Sequence, residues 1–168
     1  MKRLFQLPIR EIVVQDKNEI SFIVMWVTNK RKYENFIKNE LFPKWNINYL
    51  CNWFWLKITI NAELICPIES NHKKPYEPML IGIYDPSNSV TVADHLFSQK
   101  QLIISTPSFQ HSRKPCLDEL FDQIFTELNI ISPRKLELFA RNLTPGWCSW
   151  GNEVLFHQHA SNFEFKEL

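Results

Sequence analysis

The stretch from Lys135 to Asn152 reads Lys-Leu-Glu-Leu-Phe-Ala-Arg-Asn-Leu-Thr-Pro-Gly-Trp-Cys-Ser-Trp-Gly-Asn and gathers side chains able to bind a polar ligand. A short apolar strand is expected over Leu136–Ala140, with Glu137 embedded in it. A polar, glycine-bearing turn holding Trp147 and Trp150 should follow. Open α/β sheets bind ligands beyond the carboxyl ends of their strands. Glu137, Arg141, Asn142 and Asn152 would meet at such an end, with more donors and acceptors than a turn requires. Two readings stand side by side: a ligand-binding strand end, and a capped strand with a packed aromatic corner in which Arg141 pairs Glu137.

Other candidates are weaker. Nineteen Lys and Arg against eighteen Asp and Glu leave a net charge of +1 and no global basic field. Contact with nucleic acid would have to come from local clusters: Lys30-Arg31-Lys32, Lys73-Lys74 and Arg113-Lys114. Taken singly, each reads first as a solvated face. Tyr49, Trp53, Phe54 and Trp55 crowd one extended stretch, read as core, with a base-stacking platform as the sharper alternative. Cys51, Cys66, Cys116 and Cys148 form no C-x-x-C pair. With no signal-like start and no long apolar run, they read as reduced thiols of an intracellular protein without a membrane partner. Zinc is disfavoured by the same spacing, and His157 and His159 read as surface residues.

A chain of 168 residues supports one domain with a real core, and no repeat or linker divides it. Ile20–Val27 has the near-continuous apolar character of a buried parallel strand. Tyr33, Phe36, Ile37 and Leu41 then recur at helical spacing up to Pro43, completing the first half of a βαβ unit. A second extended stretch is expected over Asn48–Ile60. Ser70–Pro78 reads as loop, Met79–Tyr84 as strand, and Asp85-Pro86-Ser87-Asn88 as a turn. Leu102–Ser105 should be a short strand. Leu117, Leu120, Phe121, Ile124, Phe125 and Leu128 mark a helix, with Pro115 before it and Asp118 and Glu119 at its positive end. That helix should feed the strand at Lys135 as a second strand–helix–strand unit. The fold class is α/β.

Five segments then become informative together: Trp26-Val-Thr-Asn29, Trp55-Leu-Lys-Ile-Thr59, His72-Lys-Lys-Pro-Tyr-Glu77, His111-Ser-Arg-Lys-Pro115 and the Lys135–Glu153 stretch. In order and spacing they resemble the MT-A70 family, which transfers a methyl group from S-adenosylmethionine to the N6 amine of adenine. The resemblance implies a Rossmann-like methyltransferase sheet with flanking helices, acting on RNA or DNA in the nucleus, with the cytosol as alternative. It implies that Arg141 and Asn142 hold the cofactor ribose. Asn152 and Glu153 would close over the ribose and methionine portion, and Lys114 would border cofactor and target base. Lys73, Lys74 and Arg113 would face the nucleic acid. The family's acidic-or-amide Pro-Pro-aromatic tetrapeptide is missing, since no Pro-Pro pair occurs. By that pattern the chain looks like the C-terminal portion of a single methyltransferase domain, 1–168, without its N-terminal catalytic strand. No residue is assigned as catalytic and the chain alone is expected to be inactive. A silent fragment or pseudo-enzyme that retains binding surfaces is the alternative.

Overall fold

A computed structural model describes residues 2–13, 20–87, 97, 101–109, 113–156 and 158–162. The chain packs as two compact units, residues 1–106 and 107–168. The first is built on a four-stranded mixed sheet in the order β1-β3-β2-β4, with β1 Ser21–Trp26, β2 Asn48–Lys57, β3 Tyr76–Tyr84 and β4 Leu102–Ser105. β3 runs antiparallel to both β1 and β2, and β4 runs parallel to β2. The directions of β1 and β2 therefore agree, and the helical run Arg31–Lys44 between them makes a crossover with β3 inserted. The expected first βαβ unit is present in this split form.

The expected buried parallel strand at Ile20–Val27 is corrected in two respects. Its one described neighbour is β3, antiparallel, and every residue from Ser21 to Trp26 is only half-buried. An apolar run reports burial pressure but not strand direction. β3 takes the central, buried place instead, with every residue from Pro78 to Tyr84 buried. It starts at Tyr76, so the expected loop Ser70–Pro78 gives its last three residues to the sheet. Pro78 is tolerated in a central strand because its position demands no amide donor. Opposite it on β2, the Phe54 N–H turns away to the Gln101 carbonyl, while the Pro78 carbonyl accepts from Val27 just past the end of β1.

Helix and sheet meet through a deliberate absence. A Cβ at Gly82 would lie 2.5 Å from Ile47 Cγ2 and 2.8 Å from Phe42 Cε2, so the missing side chain lets the helix sit against β3. The other sheet face is covered by Phe97, stacked on Phe22 and Trp53. Trp53 and Trp55 are buried, which settles the aromatic stretch as core, while Tyr49 remains 38% exposed. The helical run passes Pro43 rather than stopping there. A proline clashes with the carbonyl four residues back. Here the turn at Ile37–Leu41 is π-wound, with the Phe42 N–H bonded to the Ile37 carbonyl, and the chain continues to Lys44.

In the second unit, Asp118–Glu127 is the expected helix, burying Phe121 and Ile124. Leu128 caps it, and Asn129 follows at φ 55°, a left-handed position that asparagine accepts. The expected second strand–helix–strand unit is not formed among the described residues. β5 (Leu136–Leu138) pairs instead with β6 (Cys148–Trp150), parallel, in a separate two-stranded sheet. The stretch around Trp147 and Trp150, read as turn throughout, thus contains a strand. Three residues between two glycine-bearing bends are too few to show a two-residue period.

Asp85 accepts from the Ser87 N–H at 3.2 Å and from the Ser87 hydroxyl at 3.1 Å, as turn chemistry requires. Asn88, His111, Ser112 and His157 lie outside the described residues. The four cysteines are free thiols. Among the described residues no His, Cys, Asp or Glu group is placed to hold a metal, and no helix is long and apolar enough to cross a membrane.

Candidate functional site

The carboxyl end of β5 is shaped by a backbone turn at Phe139. Its φ of 62° is a left-handed conformation for a bulky residue, costing roughly 1–2 kcal/mol. The neighbouring contacts hold it there. The Ala140 N–H bonds to the Trp150 carbonyl at 3.1 Å, and a Cβ on Gly151 would sit 2.0 Å from the Ala140 carbonyl oxygen. Gly151 therefore permits a backbone crossing that no other residue could make without movement. Arg141 and Asn142 leave one side of this crossing, and Asn152 and Glu153 leave the other.

Arg141 and Glu153 are brought together, with Nη1 donating to Oε2 at 2.8 Å and each side chain 45% exposed. The alternative pairing of Arg141 with Glu137 is not the one formed. Exposed pairs of this kind contribute about 0–1 kcal/mol, so either partner can be drawn to a ligand at little cost. Asn142 donates to the adjacent Leu143 carbonyl at 3.2 Å, a local bond, and Asn152 is exposed. Deeper in the ladder Glu137 stands in register with Ser149. Burial alone raises the Glu137 carboxyl above its ordinary range. The buried Ser149 hydroxyl has no hydrogen-bond partner among the described residues. Buried polar groups are nearly always satisfied, and this hydroxyl is an exception within the short ladder that carries the crossing.

What the sequence did not reveal is the role of Asp118. Expected only as a helix-end charge, it binds three groups. Lys135 Nζ lies 2.6 Å from Oδ1, Trp147 Nε1 donates to Oδ1 at 3.0 Å, and the Cys116 thiol donates to Oδ2 at 3.3 Å. The Lys135 bond is the main reason its pKa lies below the usual carboxylate range, and the Lys135 pKa is raised in return. Asp118 thus ties the helix to both β5, through Lys135, and the turn before β6, through Trp147. Lys135 also reaches Asp122 at 3.3 Å. Partners so far apart in sequence leave no spacing signal.

The remaining expected residues are distributed between the units. Arg113 is exposed and Lys114 half-buried, ahead of the Asp118 helix. Lys73 and Lys74 belong to the first unit, Lys73 exposed and Lys74 donating to the Ile68 carbonyl at 2.7 Å. Near them, the carboxyl ends of β1 and β2 hold a second polar cluster. Lys57 pairs with Glu77 and its ammonium lies 4.6 Å from the centre of the Trp55 ring. Trp55 Nε1 donates to Ser105 Oγ at 2.8 Å, and Asn29 donates to the Tyr76 carbonyl.

Comparison with known proteins now decides the family. The MT-A70 family model matches residues 1–153, a span that runs across both units. The chain belongs to the MT-A70 family. It is 39% identical over 170 residues to the N(6)-adenine-specific methyltransferase METTL4 of Homo sapiens, covering 94% of this chain and 33% of that protein. The N6-methyladenosine RNA methyltransferase MTA1 of Pyricularia oryzae is 36% identical over 167 residues, covering 98% and 41%. A DNA N6-methyl methyltransferase of Caenorhabditis elegans is 28% identical over 139 residues, covering 82% and 36%. This MT-A70 chain thus spans between a third and two fifths of the length of these relatives. Its mixed α/β architecture agrees with the family.

Proposed function

We propose that this chain forms part of an S-adenosylmethionine-dependent methyltransferase acting on the N6 amine of adenine in RNA or DNA. The observation that carries this reading is the crossing of Ala140 and Gly151, which presents Arg141–Asn142 and Asn152–Glu153 at one strand end. The relatives named for N6-adenine methylation of RNA and DNA support the reaction class. The residues fit the cofactor by chemistry. Ribose hydroxyls call for an amide and a carboxylate, supplied by Asn142 or Asn152 and Glu153. The zwitterionic methionine end calls for charged partners, supplied by Arg141, Glu153 and Lys114, and charge-assisted bonds are the strong ones.

When bound, S-adenosylmethionine would supply a methyl group on a sulfonium sulfur. The chain's own part is to hold and orient it. Lys73, Lys74 and Arg113 would meet the phosphates of the nucleic acid. Drawing the hydrogens from the adenine amine needs oxygen acceptors, and the family's Pro-Pro tetrapeptide that provides them is not among these 168 residues. Calorimetric titration of S-adenosylhomocysteine into the purified chain tests the cofactor assignment. Saturable binding that disappears in Arg141→Ala is expected, and binding unaffected by that change would overturn it.

A further inference from the structure

We propose that the outer face of the helical run Arg31–Lys44, together with Tyr49, is a phosphate-binding track for a nucleic-acid strand. It deepens the reading above and rests on it, but uses none of the residues at the β5–β6 end.

Charge is segregated onto this run. Residues 30–44 carry five cations, Lys30, Arg31, Lys32, Lys38 and Lys44, against the carboxylates Glu34 and Glu40. With the chain at +1, the other residues together are net negative. The helix buries Phe36, Ile37, Leu41 and Phe42, which fixes its rotation. Arg31 and Asn35, spaced i and i+4, share a face of the run's α-helical first part, and Lys38 lies on the π-wound turn that follows. Arg31 and Asn35 are exposed and Lys38 half-buried.

Among the described residues, Arg31, Lys32 and Lys38 form no ion pair. Glu34 stands four residues before Lys38, the orientation in which a helical ion pair forms best. No such pair forms. The Asn52 amide donates to Glu34 Oε2 at 3.3 Å, and the Lys38 ammonium lies 4.4 Å over the centre of the Tyr49 ring. Lys32 likewise lies over Tyr33, at 5.1 Å. A ring holds an ammonium in place without neutralising it, so the charge stays open to an anion. Arg, Lys, Asn and Tyr are the side chains that bind phosphate oxygens and set a strand's register without reading its bases.

Geometry and position agree with a strand. From Arg31 to Lys38 the helix rises about 10 Å, roughly three phosphates of a stacked strand at 3.4 Å each. The run begins directly after the turn that leaves β1, so the track leads from the carboxyl end of the parallel strands, where α/β sheets take their ligands.

The test is fluorescence anisotropy of a labelled, adenine-containing single-stranded RNA with the full chain, titrated at several salt concentrations. Each phosphate contact on a single strand contributes about 0.7 to the slope of log affinity against log salt. Arg31→Gln, Lys32→Gln and Lys38→Gln together should flatten that slope by about 2, equally for unrelated sequences. Affinity for S-adenosylhomocysteine should not change. Glu40→Lys, at an exposed position on the same run, should steepen the slope and tighten binding, an outcome that misfolding cannot mimic. RNA binding by the unaltered chain with the same slope in the triple variant would overturn the track and leave the nucleic-acid reading standing. Failure of the unaltered chain to bind RNA or DNA would overturn both. Loss of binding to phosphatidylserine vesicles with the RNA slope intact would assign the face to membrane and overturn the proposal.

Discussion

At the scale of single residues, three side chains carry consequences that separate binding from folding. Among the described residues Asn142 makes only a local bond, so removing it should leave stability nearly unchanged. Its amide is expected to meet the cofactor ribose, and Asn142→Ala should weaken S-adenosylhomocysteine binding by about 1–3 kcal/mol, the cost of stranding a polar partner. Urea unfolding checks the first effect and calorimetric titration the second. Asp118 behaves in the opposite way. Asp118→Ala strands Lys135 and the Trp147 indole at once and should destabilise the fold by about 1–3 kcal/mol.

Their pH signs also differ. The Asp118 pKa is depressed by Lys135, so its stabilisation is present above about pH 3.9, the unfolded value, and is lost as pH falls through the folded value. The Glu137 pKa is raised by burial. The folded state therefore binds the extra proton, and stability falls as pH rises from about 4.3, the unfolded value, through the folded value. Glu137→Gln should raise the melting temperature at pH 7 and have no such effect near pH 4. Equal shifts at both pH values would show that its desolvation is unimportant. That Arg141, Asn142 and Asn152 come to one strand end could be expected because polar groups after an apolar strand are conspicuous, whereas Glu153 was singled out only by the family resemblance. The pairing of Arg141 with Glu153 over Glu137 was not legible, because it depends on the crossing at Gly151.

Elements with a clear apolar pattern were legible. The Asn48–Lys57 strand, the Leu102–Ser105 strand and the Asp118–Glu127 helix all fall where the apolar pattern puts them. Direction and partner were not legible. β1 looks like a central strand by composition yet lies beside β3 alone among the described strands, and β6 hides in turn-like residues. The decisive local signal is a glycine. Gly151→Ala would place a Cβ 2.0 Å from a backbone oxygen and 2.7 Å from a backbone nitrogen of Ala140. Neither is the free end of a flexible side chain. The ladder must open there, at a cost of about 1–3 kcal/mol, and the Arg141–Glu153 pair should separate with it. A urea midpoint equal to that of the unaltered chain would contradict this account of β5–β6.

At the scale of the molecule, methyl transfer should be absent from the isolated chain. Preorganised groups that stabilise a transition state are worth on the order of 3–4 kcal/mol each, and the family's whole acceptor tetrapeptide is missing from these residues. An assay with labelled S-adenosylmethionine and adenine-containing oligonucleotides should stay at the no-enzyme level, and turnover would reveal a substitute acceptor. The order of the sheet has a further effect, on how the protein is made. Ser21 pairs with Tyr84, so β1 leaves the ribosome long before its partner. At 5–20 residues per second, the intervening stretch of about 60 residues takes about 3–12 s to synthesise. Throughout that interval the β1 edge that will meet β3, with its Phe22-Ile23-Val24-Met25-Trp26 side chains, waits for that partner. Chaperone demand during translation should therefore centre on this strand, and a ribosomal stall before Tyr84 should be more damaging than one after it.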